Sequence, residues 1–525
     1  MEQRRGKRSG EKGKWANDGE QRIRFLLSSF KNFYFYSQSY NMDQISENVK
    51  AYFESCITDT VTHFEKLPKS GGDRIYFRVT TPDKSYIATY NENLKESATF
   101  LYFTDHFREI DAPVPQVYFV SADKKIYIQQ DFGPVSLLNE LERHGENDHV
   151  FELFKKSLKA LAWLQIKGLA GLDYSYCLTS KEFGKQAIMS DLLYFKYYFL
   201  DTLKIPYDKE KLIDDFEALS TYLTHVEHKY FMFRDFQSRN IYIQNEEVHF
   251  IDYQGGMKGA LQYDVASLLW QARANLSDEW KNSLLEYYMD CISEILPEPV
   301  DRSRFTSQYN GYVLIRLMQV LGAYGFRGLF ERKAQFLTSI PLALTNIKWF
   351  LANKKMGIAL PEYDRLLNLI VLDNVIDQFR PVQANESTPL IITINSFSYL
   401  RSGYPEDKTS NGGGFVFDCR GLLNPGRFEE YKSLTGRDKP VIDFLEQQTK
   451  MAEFLNGVYN VVDISVENYI KRNFSSLTIS FGCTGGQHRS VYAADALTRY
   501  LRNKFKVKID LNHIEQNVHE HKGFE

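Results

Sequence analysis

The most informative stretch of this chain reads Phe233-Arg234-Asp235-Phe236-Gln237-Ser238-Arg239-Asn240, and Val248-His249-Phe250-Ile251-Asp252 follows shortly after it. Between the two lie the apolar residues Ile241-Tyr242-Ile243 and a short turn. Two short apolar runs around a turn predict a β-hairpin. Such a hairpin would bring together, at one end of a small sheet, three oxygen-bearing side chains: Asp235, Asn240 and Asp252.

These three side chains suit the transfer of a phosphoryl group. That reaction needs a carboxylate beside the acceptor hydroxyl and hard oxygen ligands for the magnesium ion that bridges the phosphates. Asp235 fits the first role, as catalytic base, and Asn240 with Asp252 fits the second, as metal ligands. The alternative is that these groups only cap turns, which does not explain why they cluster at strand tips. The expected cofactors are therefore ATP and Mg²⁺.

Length and composition restrict the class of protein. A chain of 525 residues predicts two or three domains, and its formal charge of −3 argues against a nucleic-acid-binding field over the whole chain. The five cysteines form no CxxC pair, which indicates a reducing cytoplasm. Because no apolar run reaches the roughly 18 residues of a membrane span, we expect no membrane partner.

The order of predicted elements matches the small nucleotide-binding lobe of kinases. Residues 43–66 carry helical spacing, and a polar glycine turn follows them. The next elements, in chain order, are two strands, a helix and two more strands: Ile75–Val79, Ser85–Tyr90, Glu96–Arg108, Val114–Val120 and Lys125–Gln129. From Phe151 to about residue 352 the pattern is mostly helical apart from the hairpin, and a last helix is predicted from Tyr363 to about Phe379.

Residues from about 43 to 355 resemble the aminoglycoside phosphotransferase-like kinase family, and most closely its branch of N-acetylmuramate/N-acetylglucosamine anomeric kinases. The resemblance is carried by the two stretches quoted first and by Tyr263-Asp264-Val265-Ala266-Ser267-Leu268-Leu269 and Arg316-Leu317-Met318-Gln319-Val320-Leu321-Gly322. It implies that Asp235 is the base, that Asn240 and Asp252 hold magnesium, and that Asp264 is a buried acid bracing the catalytic loop. Phe233 stands where the family usually has a structural His.

Nucleotide contacts are less clearly marked. Asp131-Phe132-Gly133 spells the metal-binding triplet of protein kinases, but it precedes the catalytic loop, so we interpret Gln129–Gly133 as the connector between lobes. The strand Ser85–Tyr90 lacks the usual Lys; Arg74 and Arg78 are candidate substitutes, with a surface position as the alternative, and Glu96 is expected to have lost its partner. The residues predicted to bind nucleotide are Ser70, Gly71, Gly72, Arg74, Gln130, Asp131 and Phe132.

A second signature, Gly482-Cys483-Thr484-Gly485-Gly486-Gln487-His488-Arg489-Ser490-Val491, lies between a predicted strand, Leu477–Phe481, and a predicted helix. Such a turn gathers backbone N–H groups at the positive end of a helix dipole, which with His488 and Arg489 predicts a phosphate site. The alternative is a tight turn with its basic groups in solvent. The string also fits Cys-x5-Arg-Ser, the phosphate cradle of cysteine-dependent phosphatases, although nothing in the sequence positions Asp418 or Asp438 as the acid.

Residues 389–516 resemble the C-terminal domain of the RapZ RNase-adapter family. The resemblance is carried by the Gly482–Val491 loop and by Phe415-Val416-Phe417-Asp418-Cys419-Arg420, Asn424-Pro425 and Leu434-Thr435-Gly436-Arg437-Asp438. It implies RNA binding and sensing of an amino-sugar phosphate, in a pocket of Arg420, Asn424, Cys483, Thr484, Gly485, Gly486, Gln487, His488, Arg489 and Ser490. The Walker motif of the adapter's usual partner domain is absent from the sequence.

The predicted fold is an α+β bilobal protein-kinase-like fold followed by a smaller α/β domain with a strand–Gly-rich loop–helix anion site. The expected segments are a disordered or non-native extension at 1–41, a kinase domain at 42–360, a terminal helix and linker at 361–388, and a RapZ-like domain at 389–525. The leading hypothesis is a cytoplasmic kinase for a sugar or amino sugar with a regulatory phosphate-binding domain. The alternatives are a non-catalytic RNA- or metabolite-binding adapter and a kinase–phosphatase using Cys483.

Overall fold

The structure is a computed structural model that describes residues 44–67, 74–225, 229–330, 334–337, 339–380, 382–407, 409 and 414–523. The extension predicted at 1–41 lies outside these residues, as do Ser70, Gly71 and Gly72 of the predicted nucleotide site. The described chain divides into two units. The first contains the residues up to Ser97 together with Gln116–Asp131, and the second contains Ala98–Pro115 and the chain from Phe132 onward.

The first unit is built around an antiparallel sheet whose described strands follow the order β1-β2-β3-β5-β4. Alternation along the strands turns Phe77, Val79 and Ala88 toward Val49 and Phe53 of helix α1, where they form a buried core. The elements are α1 (44–56), β1 (His63–Lys66), β2 (Ile75–Thr80), β3 (Ser85–Tyr90), α2 (Leu94–Arg108, which extends into the second unit), β4 (Val117–Val120) and β5 (Ile126–Gln130).

The prediction of helical structure across 43–66 was wrong beyond residue 56. The helix ends there, and His63–Lys66 forms the edge strand β1, paired with β2. Thr58-Asp59-Thr60-Val61-Thr62 separates the two elements. β-Branched residues and Asp disfavour helix, and the apolar residues 57 and 61 therefore do not continue it.

The second unit begins with helices that surround two small hairpins. The strands are β6 (Tyr230–Met232), which pairs with β9 (Met257–Gly259), and β7 (Ile241–Gln244), which pairs with β8 (Glu247–Phe250). The helices are α3 (Leu137–His144), α4 (Asp148–Lys167), α5 (Lys185–Phe195), α6 (Lys209–Thr224), α7 (Leu261–Leu269), α8 (Asp278–Ile295), α9 (Arg302–Tyr324), α10 (Ala334–Leu337), α11 (Ile340–Asn353), α12 (Pro361–Ile370) and α13 (Asp373–Asp377).

The single helix predicted from Tyr363 to about Phe379 is two helices. The chain becomes extended at Leu372, and Asp373 then starts α13 with an acid in its first turn.

The helical stretch Arg302–Phe330 has the length and hydropathy of a membrane span. However, 56% of its most apolar window is buried inside the protein, as in the core helix of a soluble domain.

The carboxy-terminal part contains a sheet of order β11-β12-β10-β13-β14, parallel except for its last strand. Its apolar residues and those of α15 and α16 form one buried core. β11 and β12 end side by side, with Asp418 opposite Gly482, so the segments after them start at the same sheet edge. The elements are β10 (Ile391–Ser398), β11 (Gly414–Asp418), α14 (Lys439–Gln448), α15 (Met451–Lys471), β12 (Ser476–Cys483), α16 (Arg489–Phe505), β13 (Lys508–His513) and β14 (Val518–Lys522).

Candidate functional site

The loop between β6 and β7 and the end of β8 bring the three predicted side chains together. Asn240 Nδ2 donates to the backbone oxygen of Asp235 at 2.9 Å and lies 3.4 Å from Asp252 Oδ2. Asp252 has a positive φ of 72°, a left-handed conformation that is unusual for a residue with a side chain. Because both contacts of Asn240 use its amino group, its Oδ1 is the atom suited to ligate a cation.

Asp235 lies next to a buried cation that sequence reasoning missed. Its side chain is 41% exposed, whereas that of Arg316 is 6% exposed, and Arg316 Nη2 lies 3.9 Å from Asp235 Oδ1. Gln237 Nε2 donates to the same oxygen at 3.4 Å. Both contacts are made to Oδ1, so Oδ2 is the oxygen that remains for an acceptor. The signal for Arg316 was that it is the only charged residue in the sequence between Arg304 and Arg327.

Asp264 has the position that the sequence predicted for a loop-bracing acid. Its fully buried carboxylate accepts hydrogen bonds from the backbone nitrogens of Phe233 at 2.7 Å and Arg234 at 2.9 Å, and from Gln165 Nε2 at 2.8 Å. Burial raises the pKa of Asp264 to about 7, and the three donors oppose that rise because they favour the charged form. The carboxylate thus fixes the backbone at the start of the loop between β6 and β7.

The two residues before Asp235 anchor the loop in different ways. Phe233 is fully buried against Phe236 and Phe250, so an apolar ring fills the position of the family's usual His while its backbone keeps the bond to Asp264. Arg234 has a φ of 80°, and its guanidinium donates to both carboxylate oxygens of Asp191 on α5, at 2.9 and 2.8 Å. No spacing or motif in the sequence indicates this ion pair.

In the first unit, the expectation that Glu96 has no partner was wrong. Arg74 Nε lies 3.2 Å from Glu96 Oε1, and both side chains are at most 15% exposed. Arg78 makes a two-fold contact with Asp131, from Nε at 2.7 Å and from Nη2 at 3.1 Å. The surface alternative for these arginines is also wrong, because each is largely buried by pairing with a carboxylate.

The other described residues predicted to bind nucleotide, Gln130, Asp131 and Phe132, lie where the chain passes from the first unit to the second. Gln130 ends β5, and its Oε1 accepts a hydrogen bond from the backbone of Gln116 at 3.3 Å. The Asp131 carboxylate is used by Arg78, so it is a structural acid in this arrangement. Phe132 is stacked on His249, with ring centroids 4.1 Å apart.

At the carboxy-terminal end of β12, the glycine loop wraps around a thiol. Gly486 N donates to Cys483 Sγ at 3.2 Å, and Ser490 Oγ lies 3.1 Å from the same sulfur. Gly486 has a φ of 67°, and an added Cβ would lie 2.3 Å from the Glu515 side chain, so only glycine fits there. Apart from its two chain neighbours, no atom of the described residues lies within 4 Å of a Cβ built on Gly485, so there is space beside the loop there.

Arg489 presents one edge of its guanidinium to this loop. Nη1 donates to three backbone oxygens of the turn after β11, those of Cys419 at 3.3 Å, Arg420 at 3.2 Å and Leu422 at 2.8 Å. Nη2 makes a long contact of 3.4 Å with Thr484 Oγ1, and the buried Nε has no partner among the described residues. Nε and Nη2 form the edge with which Arg grips an oxyanion through two parallel bonds.

Four other predicted pocket residues are used within the fold. His488 Nε2 donates to the Tyr431 backbone oxygen at 2.9 Å, and burial lowers the pKa of this imidazole, so it braces the 428–434 segment as a neutral ring. Gln487 donates to the backbone oxygens of Lys432 and Leu434. Arg420 pairs with Asp418, and Asn424 caps the turn at Pro425–Arg427. The prediction that His488 adds positive charge to the anion site is therefore not supported by its placement.

Two family models match the chain. The phosphotransferase enzyme family matches residues 64–297, and the RapZ C-terminal domain matches residues 390–517. The kinase-like fold and the α/β carboxy-terminal domain predicted from the sequence are both confirmed, as is the prediction of a phosphotransferase as the class of enzyme domain.

Curated relatives match the carboxy-terminal part. A nucleotide-binding protein of Glaesserella parasuis is 39% identical over 130 residues, 25% of this chain and 43% of that protein. One from Clostridium botulinum is 40% identical over 131 residues, 25% of this chain and 42% of that protein. The chain thus spans less than half the length of these relatives.

Solved structures similar to the chain include the choline kinase LicA from Streptococcus pneumoniae, at 13% identity and a TM-score of 0.40, covering 59% of this chain and 99% of that one. A Plasmodium vivax ethanolamine kinase has 12% identity and a TM-score of 0.40, covering 57% and 85%. The two family models thus match separate parts of the chain, an earlier part with the phosphotransferase enzyme family and a carboxy-terminal part with the RapZ C-terminal domain.

Proposed function

We propose that the chain is an ATP- and magnesium-dependent small-molecule kinase that phosphorylates a hydroxyl group of a sugar or amino sugar. The observation that supports this most is the convergence of Asp235 and Asn240, on the loop between β6 and β7, with Asp252, just after β8; Asp264 holds the backbone at the start of that loop. The sugar acceptor follows from the resemblance to the anomeric kinases. A cytoplasmic location, and domain bounds of 42–360, 361–388 and 389–525, belong to the same proposal.

In the proposed reaction, Asp235 orients the acceptor hydroxyl and accepts its proton as the oxygen attacks the γ-phosphate. Arg316 and Gln237 hold Oδ1 of this carboxylate, so Oδ2 takes the proton. Proton acceptance of this kind typically contributes about 10²–10⁴ to the rate. The loop itself stays in place because Asp264 and Asp191 fix the backbone and the side chain of Arg234.

The residues at the loop fit a magnesium ion. Asn240 Oδ1 and the Asp252 carboxylate are hard oxygen donors, the kind that Mg²⁺ prefers, and phosphate oxygens and water would complete its shell. Across the described ranges no cluster of three or more His, Cys, Asp or Glu side chains could hold a metal alone, which agrees with an ion that arrives with the nucleotide. When bound, the ion would offset charge on the phosphates.

The Arg74–Glu96 pair is our candidate for the Lys–Glu pair of other kinases. Arg74 directly precedes β2 and Glu96 lies in the first turn of α2, so the pair joins the sheet to the helix. The arginine supplies the positive charge that β3 lacks. This assignment explains how a chain without the strand lysine keeps a buried cation in its small lobe.

The first test is whether ADP is released in response to an acceptor. We expect the full chain with Mg²⁺ and ATP to release ADP in the presence of at least one member of a panel of hexoses, hexosamines and N-acetylhexosamines. The competing reading is a non-catalytic adapter that only binds ligands. The adapter would be supported instead if ADP were released no faster with any sugar than without one, while calorimetry showed that a sugar binds.

For the carboxy-terminal domain we propose a regulatory site for a phosphorylated ligand, with a sugar phosphate as its candidate. The support is the edge of Arg489 at the loop and the backbone N–H groups at the start of α16. RNA is a second candidate partner, supported only by the resemblance and by basic residues such as Lys471, Arg472, Arg499 and Arg502.

Replacing Arg489 should weaken phosphate binding. In Arg489→Lys the charge remains but the two-pronged edge is lost, so we expect the affinity for a hexosamine 6-phosphate to fall about ten-fold or more. Calorimetry on the full chain measures this. Arg499→Lys, an exposed position on the same helix, is the matched control and should bind as the unchanged protein does. Equal affinity in both variants would remove Arg489 from the site.

The kinase–phosphatase reading has weaker support. Asp418 is held by Arg420, which lowers the pKa of the carboxyl, and Asp438 accepts hydrogen bonds from Thr435. Neither acid is therefore positioned to protonate a leaving group at Cys483. A phosphatase assay comparing the unchanged chain with Cys483→Ser would revive this reading if phosphate release depended on the thiol.

A further inference from the structure

Two helices that contact the catalytic loop continue side by side to a group of aromatic rings. On α5, Asp191 binds Arg234 of the loop, and Tyr194 and Tyr198 follow at spacings of three and seven residues, on the same helix face. On α9, Arg316 lies beside Asp235, and Gln319 and Ala323 follow at the same spacings. The two faces therefore start at the catalytic loop and lead away from it together.

Both helices change from α-helix to π-helix where their aromatic side chains meet. α5 continues as a π-helix at Lys196–Leu200, and α9 continues as one at Gly325–Phe330. Their backbones come close at two glycines: a Cβ on Gly322 would lie 3.0 Å from the Phe195 backbone nitrogen, and one on Gly325 would lie 2.3 Å from the Tyr198 backbone oxygen. π-Helical turns occur frequently at functional sites, and here two of them pack against each other.

The rings form what we call the aromatic cluster, which consists of Tyr194, Tyr198, Phe326 and Phe330. Tyr194 and Tyr198 have centroids 4.7 Å apart, Tyr198 and Phe326 4.8 Å, and Phe326 and Phe330 5.8 Å. Phe330 is 67% exposed, so the cluster is not a closed core. By contrast, Phe195 and Phe199 of the same segment are fully buried, which separates packing residues from surface residues in this aromatic run.

We propose that the aromatic cluster is a subsite for a second sugar ring of the acceptor. The inference rests on the proposed function, and it deepens it by naming an acceptor of two rings. Phe326 lies ten residues beyond Arg316 on the helix, roughly 15 Å at 1.5 Å per residue, which is further than one pyranose ring extends from Asp235. Polar groups at the loop and apolar ring faces further out match a saccharide, whose hydroxyls form hydrogen bonds while its C–H face packs on aromatic rings.

The test compares N-acetylglucosamine with its β-1,4-linked disaccharide on the full chain. We expect the disaccharide to have the lower KM, and Tyr198→Ala to shrink that advantage by about two- to ten-fold. Tyr198→Phe keeps the ring and should retain most of it. Tyr197→Ala removes an exposed aromatic outside the cluster and is the matched control, expected to keep the full advantage. An equal loss for both sugars would identify a structural role and overturn the subsite.

Binding separates this inference from the proposed reaction. Calorimetry of the disaccharide with the Asp235→Asn chain needs no turnover, and we expect Tyr198→Ala in that background to weaken the binding. Disaccharide binding that depends on Tyr198, together with no transfer from ATP by the unchanged chain, would reject the kinase and keep the subsite. Disaccharide binding no tighter than that of the single sugar, or unaffected by Tyr198→Ala, would reject the subsite whether or not transfer occurs.

Discussion

Asp235→Asn should lower the turnover number by about 10² to 10⁴ while changing ATP affinity little. The substitution keeps the shape of the side chain and its contact with Gln237, but an amide cannot take the proton of an acceptor hydroxyl. Because the side chain is 41% exposed and accepts no hydrogen bond from a backbone group among the described residues, we expect the fold to be retained. The measurement is steady-state ADP release with the best sugar acceptor, together with ADP binding by calorimetry.

A second substitution is the control for that loss of turnover. Asp214→Asn, on the exposed side of α6, makes the same chemical change away from the loop and should leave turnover within two-fold, an allowance of about 0.4 kcal/mol. Full activity in Asp235→Asn would exclude this carboxylate as the base. A loss of nucleotide binding as large as the loss of turnover would instead point to a disturbed site.

Asp264→Ala should produce the largest loss of stability. Three donors, the backbone nitrogens of Phe233 and Arg234 and the side chain of Gln165, would lose their acceptor in a fully buried position. Each buried unsatisfied group costs about 1–3 kcal/mol, so we expect the free energy of unfolding to fall by at least ~3 kcal/mol. Urea unfolding, combined with hydrogen exchange at residues 233 and 234, measures the effect and its location.

Asp264→Asn is the graded comparison for that experiment. The amide keeps one acceptor oxygen at nearly the same volume, so it should lose less stability than the alanine variant, and the exchange of the two amides should rise less. Unchanged exchange at residues 233 and 234 in Asp264→Ala would show that the acid does not brace the loop.

The sequence predicted the β7–β8 hairpin because the information for it is local. Asn240 and Asp252 flank one short hairpin, so strand pairing brings them within 3.4 Å of each other, and Asp235 lies only five residues before Asn240, which binds its backbone oxygen. The Gly482–Val491 loop was recognisable for a similar reason, since a strand, a glycine turn and a helix follow one another directly. The buried acid Asp264 was recognised through the family resemblance.

Other features depend on contacts between residues far apart in the sequence. The Arg74–Glu96 and Arg234–Asp191 pairs form only once separate elements have packed, so composition and spacing carried no signal for them. His488 carries a positive charge only if its ring is solvated; the structure buries it against the Tyr431 backbone, where the neutral form is favoured. Arg316 belongs to one of the stretches that carry the family resemblance, but it lies beside Asp235 only because of how α9 packs, which the sequence does not show.

We propose that Asp235 is the base and Asp252 a metal ligand, and metal binding in the presence of nucleotide tests these separate roles most directly. Electron paramagnetic resonance of Mn²⁺ with ADP and the full chain reports a bound ion without requiring any acceptor. We predict one protein-bound Mn²⁺ per chain that persists in Asp235→Asn and is lost in Asp252→Ala. Mn²⁺ binding that survives in Asp252→Ala, or disappears in Asp235→Asn alone, would contradict the proposed arrangement of the active site.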